Sequence, residues 1–111
     1  MTTAITTHVH LPPHPKRGEV ILVQAKITHP MSNGWPRKDA PDAPPLARNM
    51  LKSFRCFLNN VLVFESLFFE GAAPYPYLAF KIRANESGEL ICRWEGENGE
   101  VFETKRYLAI E

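Results

Sequence analysis

The sequence predicts an all-β fold, an immunoglobulin-like β-sandwich of about seven short strands. Apolar and polar residues alternate with a period of two along most of the chain, and no segment keeps an apolar stripe at helical spacing long enough to compete. Turn signals separate the alternating runs at short intervals, as at Asn59-Asn60, Ser87-Gly88 and Asn98-Gly99. Strands of this kind bury their apolar faces by packing as two facing sheets.

The length of 111 residues is typical of one domain, so we predict a single domain over residues 1–111, with residues 1–15 as a mobile N-terminal arm. Thirteen basic and twelve acidic side chains leave a formal charge of +1. This balance supplies no strong field, and we expect neither nucleic acid nor a membrane as a partner. The sequence has no glycine-rich phosphate cradle, and its glutamates cluster around turns, so we expect no cofactor and no catalytic site.

The first half of the chain predicts two strands and a long loop. The first strand stops at Pro12-Pro13-His14-Pro15, which suits a sheet edge. Its alternating residues are Ile5, Thr7, Val9 and Leu11. The second strand directs one set of side chains inward, namely Ile21, Val23, Ala25 and Ile27. We expect Val20 and Leu22 to be partly covered on its other face. Residues 28–47 are predicted to form a long proline-rich loop.

The second half predicts a hairpin and three further strands. Residues 52–59 direct Phe54, Cys56 and Leu58 inward, and Asn59-Asn60 suit the positive φ angles of a two-residue hairpin turn. The remaining inward sets, strand by strand, are Leu78, Phe80 and Ile82; Leu90, Cys92 and Trp94; and Phe102, Thr104, Arg106, Leu108 and Ile110.

Segment 27–39 carries side chains that are unusual in a loop. Pro30 and Pro36 push the residues before them into extended conformations and supply no backbone donor, so the segment leaves the strand pattern and projects outward. Exposed Met, Trp and Arg side chains are typical of protein contact surfaces. The candidate contact residues are His29, Met31, Trp35, Arg37 and Lys38. The alternatives are a loop-structuring role for the histidine and a solvated pair for the two cations.

This loop resembles that of the SoxZ family, a subunit of the SoxYZ carrier of bacterial thiosulfate oxidation. The resemblance covers roughly residues 16–110. Besides the loop, it is carried by Gly18-Glu19-Val20-Ile21, by segments 53–60, 74–80 and 86–88, and by Arg93-Trp94.

The resemblance implies a non-catalytic subunit that forms a heterodimer with a SoxY-type subunit, whose C-terminal cysteine arm carries the sulfur intermediates. It also implies transient contacts with other Sox enzymes and a periplasmic location. Residues 1–8 lack the basic and apolar regions of a secretory signal, so we expect export together with the Y-type partner. Tyr75 and Tyr77 join the loop residues as expected partner contacts, the alternative being that they pack a corner of the sandwich.

Cys56 and Cys92 lie on separate predicted strands and fit no CxxC spacing. They are either buried thiols or one disulfide, because strand adjacency cannot be read from the sequence. In an oxidising compartment such a bridge would stabilise the fold by about 3–4 kcal/mol in the chain-entropy model.

A different class of function rests on His8 and His10. They are two residues apart on a predicted strand, so both imidazoles face the same side at a spacing that suits a transition metal. A small secreted metal-binding or redox protein would use them together with a cysteine. No third ligand accompanies them, and the favoured interpretation is a solvated N-terminal arm.

Overall fold

The computed structural model describes residues 5–31, 49–68 and 75–111, and these ranges form seven strands without a helix. The strands are β1 (Thr7–His10), β2 (Glu19–Ile27), β3 (Leu51–Leu58), β4 (Val61–Leu67), β5 (Tyr77–Ala84), β6 (Gly88–Gly96) and β7 (Val101–Leu108). They build a three-stranded sheet in the order β1-β2-β5 and a four-stranded sheet in the order β4-β3-β6-β7. The predicted all-β, immunoglobulin-like sandwich is confirmed. Nothing in these ranges provides a helix that could span a membrane.

Alternation decides which face of β2 is buried. Its inward side chains are at most 2% exposed and are those of Ile21, Val23, Ala25 and Ile27, as predicted. On the opposite face Val20 and Leu22 are 49% and 42% exposed, which is more open than expected. Their cross-strand partners on β5, Arg83 and Lys81, are exposed as well. This side of the three-stranded sheet therefore faces solvent in the described part of the chain.

Aromatic side chains join the two sheets at their centre. Phe80 of the three-stranded sheet stacks on Phe64 of the four-stranded sheet, with ring centres 4.1 Å apart. The ring of Phe54 lies 5.6 Å from that of Phe80 and 4.9 Å from that of Trp94. Phe54 and Trp94 are fully buried. Each such pair contributes about 0.5–1.5 kcal/mol beyond the burial of its apolar area.

The β3–β4 hairpin turns at Asn59 and Asn60, whose φ angles of 49° and 67° confirm the predicted left-handed pair. The Asn59 side chain accepts a hydrogen bond from the Glu89 amide and donates one to the Ser87 carbonyl, each 3.1 Å long. Gly88 lies between these two groups, and a Cβ there would collide with the Asn59 side chain. The hairpin is thereby fixed to the turn between β5 and β6.

A β-bulge interrupts the pairing of β3 with β4. Cys56 pairs with Phe64 whereas Phe57 pairs with Leu62, so Val63 is the extra residue on β4. Because β4 is an edge strand, this bulge leaves three successive apolar side chains exposed. They are Val61, Leu62 and Val63.

We expect Phe54→Ala to lower the free energy of unfolding by about 3–5 kcal/mol, because it leaves a cavity among the rings that join the sheets. Phe57→Ala is the matched control, since Phe57 lies on the same strand but faces outward and is only partly buried. Its truncation should cost less than half as much. Urea unfolding of both variants measures the difference, and equal losses would show that the aromatic cluster does not dominate the core.

Candidate partner-binding surface

Several of the predicted contact residues lie at one end of the sandwich, where β2, β4 and β6 end and β3, β5 and β7 begin. We call this the loop end. Met31 is the last described residue before the long loop, and Asn49 is the first after it. Trp35, Arg37 and Lys38 fall between them and lie outside the described residues.

His29 is fully buried and organises the loop end. Its Nδ1 accepts a hydrogen bond of 3.0 Å from the Met31 amide, and its carbonyl accepts one of 2.8 Å from the Tyr75 amide. The ring also meets Phe102 edge-on, with centres 6.2 Å apart. These contacts tie the end of β2 to the segment before β5 and to β7, as a loop-structuring imidazole would.

The contacts of His29 also determine which of its ring nitrogens carries the hydrogen. Because Nδ1 accepts from Met31, the neutral ring carries its hydrogen on Nε2. Nε2 of His29 and Oδ1 of Asn49 are both buried without a partner of normal geometry. Burial lowers the pKa of His29, while the nearby Asn49 side chain and the charge of Glu100 act in the opposite direction.

Met31 is also buried, at 5% exposed, and its Sδ lies 3.4 Å from the Leu51 amide nitrogen. Neither Met31 nor His29 presents its side chain on the surface of the described chain. A signal in the sequence points to this placement, because the inward parity of β2 continues past Ile27 to both residues. Pro30 is a competing signal, because a proline supplies no backbone donor and ends the strand.

Among the described residues, Tyr75, Leu67 and Val101 are exposed at the loop end. Tyr75 is 61% exposed and has a φ of 53°. Leu67 and Val101, 69% and 53% exposed, lie in one row across the four-stranded sheet, with Ser53 and Glu95 between them. Tyr75 can be predicted from its loop context. Leu67 and Val101 cannot, because the parity of a residue within a strand does not reveal which end of the sheet is exposed.

Tyr77 belongs to a different surface, the outer face of the three-stranded sheet. It is 56% exposed, and its hydroxyl accepts a hydrogen bond of 2.7 Å from Nε2 of Gln24. His8 and His10 point outward on the same face. No group of three or more His, Cys, Asp or Glu side chains in the described ranges could hold a metal ion, so the two histidines remain without a third such ligand there.

The two cysteines face each other across β3 and β6. Cys56 and Cys92 are cross-strand partners, both fully buried, and their sulfur atoms are 3.9 Å apart as free thiols. A disulfide would require an S–S distance of about 2.05 Å. The structure supplies the adjacency that the sequence could not, and the bridge itself stays a prediction. The hydrogen bond shared with Cys92 and burial raise the pKa of Cys56, which keeps this thiol protonated at neutral pH.

Comparison with known proteins adds the family and the fold. A family model described as sulphur oxidation protein SoxZ matches residues 9–106. No curated protein shows a significant sequence match.

Two solved structures share the fold at low sequence identity. Superoxide reductase (neelaredoxin) from Ignicoccus hospitalis has a TM-score of 0.71 and 16% identity, over 96% of this chain and 80% of that one. The sulfur carrier protein SoxY from Chlorobium limicola f. thiosulfatophilum has a TM-score of 0.63 and 13% identity, over 99% of this chain and 81% of that one. At these identities the likeness concerns the β-sandwich alone.

We expect His29→Asn to flatten the pH dependence of stability. The folded chain holds the His29 pKa below its ordinary 6.5, so the unfolded chain binds more protons around that pH. This contribution to stability is fully present above pH 6.5 and is lost as the pH falls through the folded-state pKa. Thermal unfolding from neutral to mildly acidic pH measures the slope. His10→Asn, at an exposed position, is the control and should retain the wild-type slope.

We expect both thiols to resist alkylation in the native protein, because each is buried and the pKa of Cys56 is raised. Iodoacetamide at mildly alkaline pH should leave the folded chain unmodified and should label both cysteines after unfolding in guanidinium under reducing conditions. Mass spectrometry reads the result. Rapid labelling of the native chain would contradict the buried placement.

Proposed function

The chain belongs to the SoxZ family of sulphur oxidation proteins, and from this membership we propose that it is the non-catalytic subunit of a SoxYZ-like thiosulfate-oxidation carrier. In this proposal it binds a Y-type subunit, whose C-terminal cysteine arm holds the sulfur intermediates, and helps to present that arm to Sox enzymes. The complex would work in the periplasm after joint export.

The placement of the cysteines supports this division of labour. A subunit that carries sulfur to other enzymes needs an accessible thiolate. This sequence has only two cysteines, and both are fully buried and directed at each other within the four-stranded sheet. Neither can reach a second protein while the sandwich is folded. This placement supports the proposal that the thiol that carries sulfur comes from another chain.

The exposed apolar residues indicate where that chain docks. The bulged edge strand β4 presents Val61, Leu62, Val63 and Leu67, and Tyr75 lies at the loop end that β4 leads into. We call these five residues the β4 strip. No described strand pairs with the outer edge of β4. Apolar and aromatic side chains collected at one edge of a small domain are typical of a protein contact.

Electrostatics favour the edge strand over the centre of the four-stranded sheet. On the outer side of the four-stranded sheet Arg55 bonds to Glu65 and Glu95, at 2.6 Å and 3.2 Å. Arg93 lies 3.5 Å from Glu103. A partner covering the centre of this face would have to desolvate ions that already satisfy each other, whereas a partner seated on the β4 strip would border this group at Glu65, which lies on β4 between Leu62 and Leu67. We propose the strip as the centre of an interface burying about 1,200–2,000 Å². Trp35, Arg37 and Lys38 are proposed to add contacts from the long loop.

Leu67→Glu should weaken binding to the Y-type subunit by about thirtyfold or more. It places a charge where the proposed interface buries an apolar side chain, and the loss of such a hot spot costs roughly 2 kcal/mol or more. Tyr107→Glu is the matched control, since Tyr107 is 72% exposed but lies on β7, away from the strip. Co-expression with a Y-type protein, followed by native mass spectrometry and binding kinetics, measures both variants.

The wild-type chain should purify as a heterodimer with the Y-type protein. Separate monomers at micromolar concentration would reject the proposed function itself. Equal loss of affinity in both variants would retain the function and reject the β4 strip as the docking surface.

A further inference from the structure

The outer face of the three-stranded sheet collects hydrogen-bond donors and positive charge, and none of its described outward residues is a carboxylate. The outward residues of its strands are His8 and His10 on β1; Val20, Leu22, Gln24 and Lys26 on β2; and Tyr77, Ala79, Lys81 and Arg83 on β5. Three are permanent cations and none is acidic. The whole chain has a net charge of only +1, so positive charge is concentrated on this face.

The polar residues converge on a shallow groove of about 350 Å³. His8 lies opposite Lys26, which in turn lies opposite Tyr77, so these three residues form one row across all three strands. His10 lies opposite Gln24 in the adjacent row. Cross-strand partners have Cβ atoms about 5 Å apart, close enough for their polar groups to reach one small ligand.

The hydrogen bonding within the groove leaves donors available. Gln24 donates to the Tyr77 hydroxyl, so the hydrogen of that hydroxyl is free for another acceptor. A neutral imidazole retains one N–H, and a lysine ammonium has three. No carboxylate in the described ranges pairs with Lys26, whereas Arg55 and Arg93 on the other sheet are bound by glutamates.

The same arrangement disfavours a metal ion. His8 and His10 supply only two imidazoles, and the ammonium of Lys26 lies across from one of them. A divalent cation would meet the like charge of Lys26, and no carboxylate in the described part of the chain lines the groove to compensate it. An anion would instead meet one fixed positive charge and four polar donor groups.

We propose that the groove formed by His8, His10, Gln24, Lys26 and Tyr77 binds a small tetrahedral oxyanion, either free or as the terminal group of a larger molecule. Lys26 supplies the charge, and the Tyr77 hydroxyl and the two imidazoles supply directed hydrogen bonds. The site is open to solvent, so we expect a dissociation constant on the order of millimolar. The proposal does not depend on the function proposed above.

Titration of the ¹⁵N-labelled chain followed by NMR tests the site. Sulfate and thiosulfate probe the free oxyanion, and S-sulfoglutathione probes the same group attached to a peptide. Sodium chloride keeps the ionic strength constant, so that general screening does not change. We expect saturable shifts at the amides of β1, β2 and the start of β5. Binding by all three probes would indicate that the tetrahedral group alone is recognised, and binding by the peptide alone would assign the larger source.

Lys26→Gln should weaken binding about fivefold, the effect of one exposed ionic contact. Lys81→Gln is the matched control, because it removes the same charge from the same face outside the groove and should change affinity less than about twofold. Unfolding by heat should confirm that both variants remain folded. Equal weakening by the two variants, shifts spread over the whole face, or saturable binding of Zn²⁺ but of no oxyanion would overturn the proposal.

Discussion

The contact between Phe80 of one sheet and the rings of Phe54 and Phe64 of the other is the interaction on which the rest of the molecule depends. Two sheets that are joined by such a cluster commit every inward position to packing, because protein interiors leave little free volume. Cys56 and Cys92 are inward residues of the same four-stranded sheet, and for that reason solvent cannot reach them. What this domain offers to other molecules must therefore come from its edges, its ends and its outer faces.

The two outer faces and the β4 strip differ in their chemistry. The outer face of the four-stranded sheet is largely self-satisfied, with Arg55 held by two glutamates and Arg93 placed over the Phe57 ring. The β4 strip is apolar, and the bulge at Val63 keeps it from presenting a regular strand edge. The outer face of the three-stranded sheet is polar and positive. A protein partner and a small anion would thus bind different parts of the same sandwich.

Much of the fold could be predicted, because strand parity is a local property. The inward sets of β2, β3 and β6 follow directly from alternation, and the Asn59-Asn60 turn follows from the φ angles that asparagine tolerates. The placement of His29 and Met31 was harder to predict. Two signals conflict there, since Pro30 ends the ladder while the inward parity continues, and the gain from burying the side chains prevails.

The surfaces could not be predicted, because they depend on which strands are neighbours. The order β4-β3-β6-β7 places Cys56 beside Cys92, and the order β1-β2-β5 places Tyr77 beside Lys26; both orders pair strands that are distant in sequence. The second order has a further consequence. Tyr75 belongs to the β4 strip and Tyr77 to the groove, and they are two residues apart. A partner seated on the strip would therefore border the groove, and an oxyanion on a mobile part of that partner would have a short path into it.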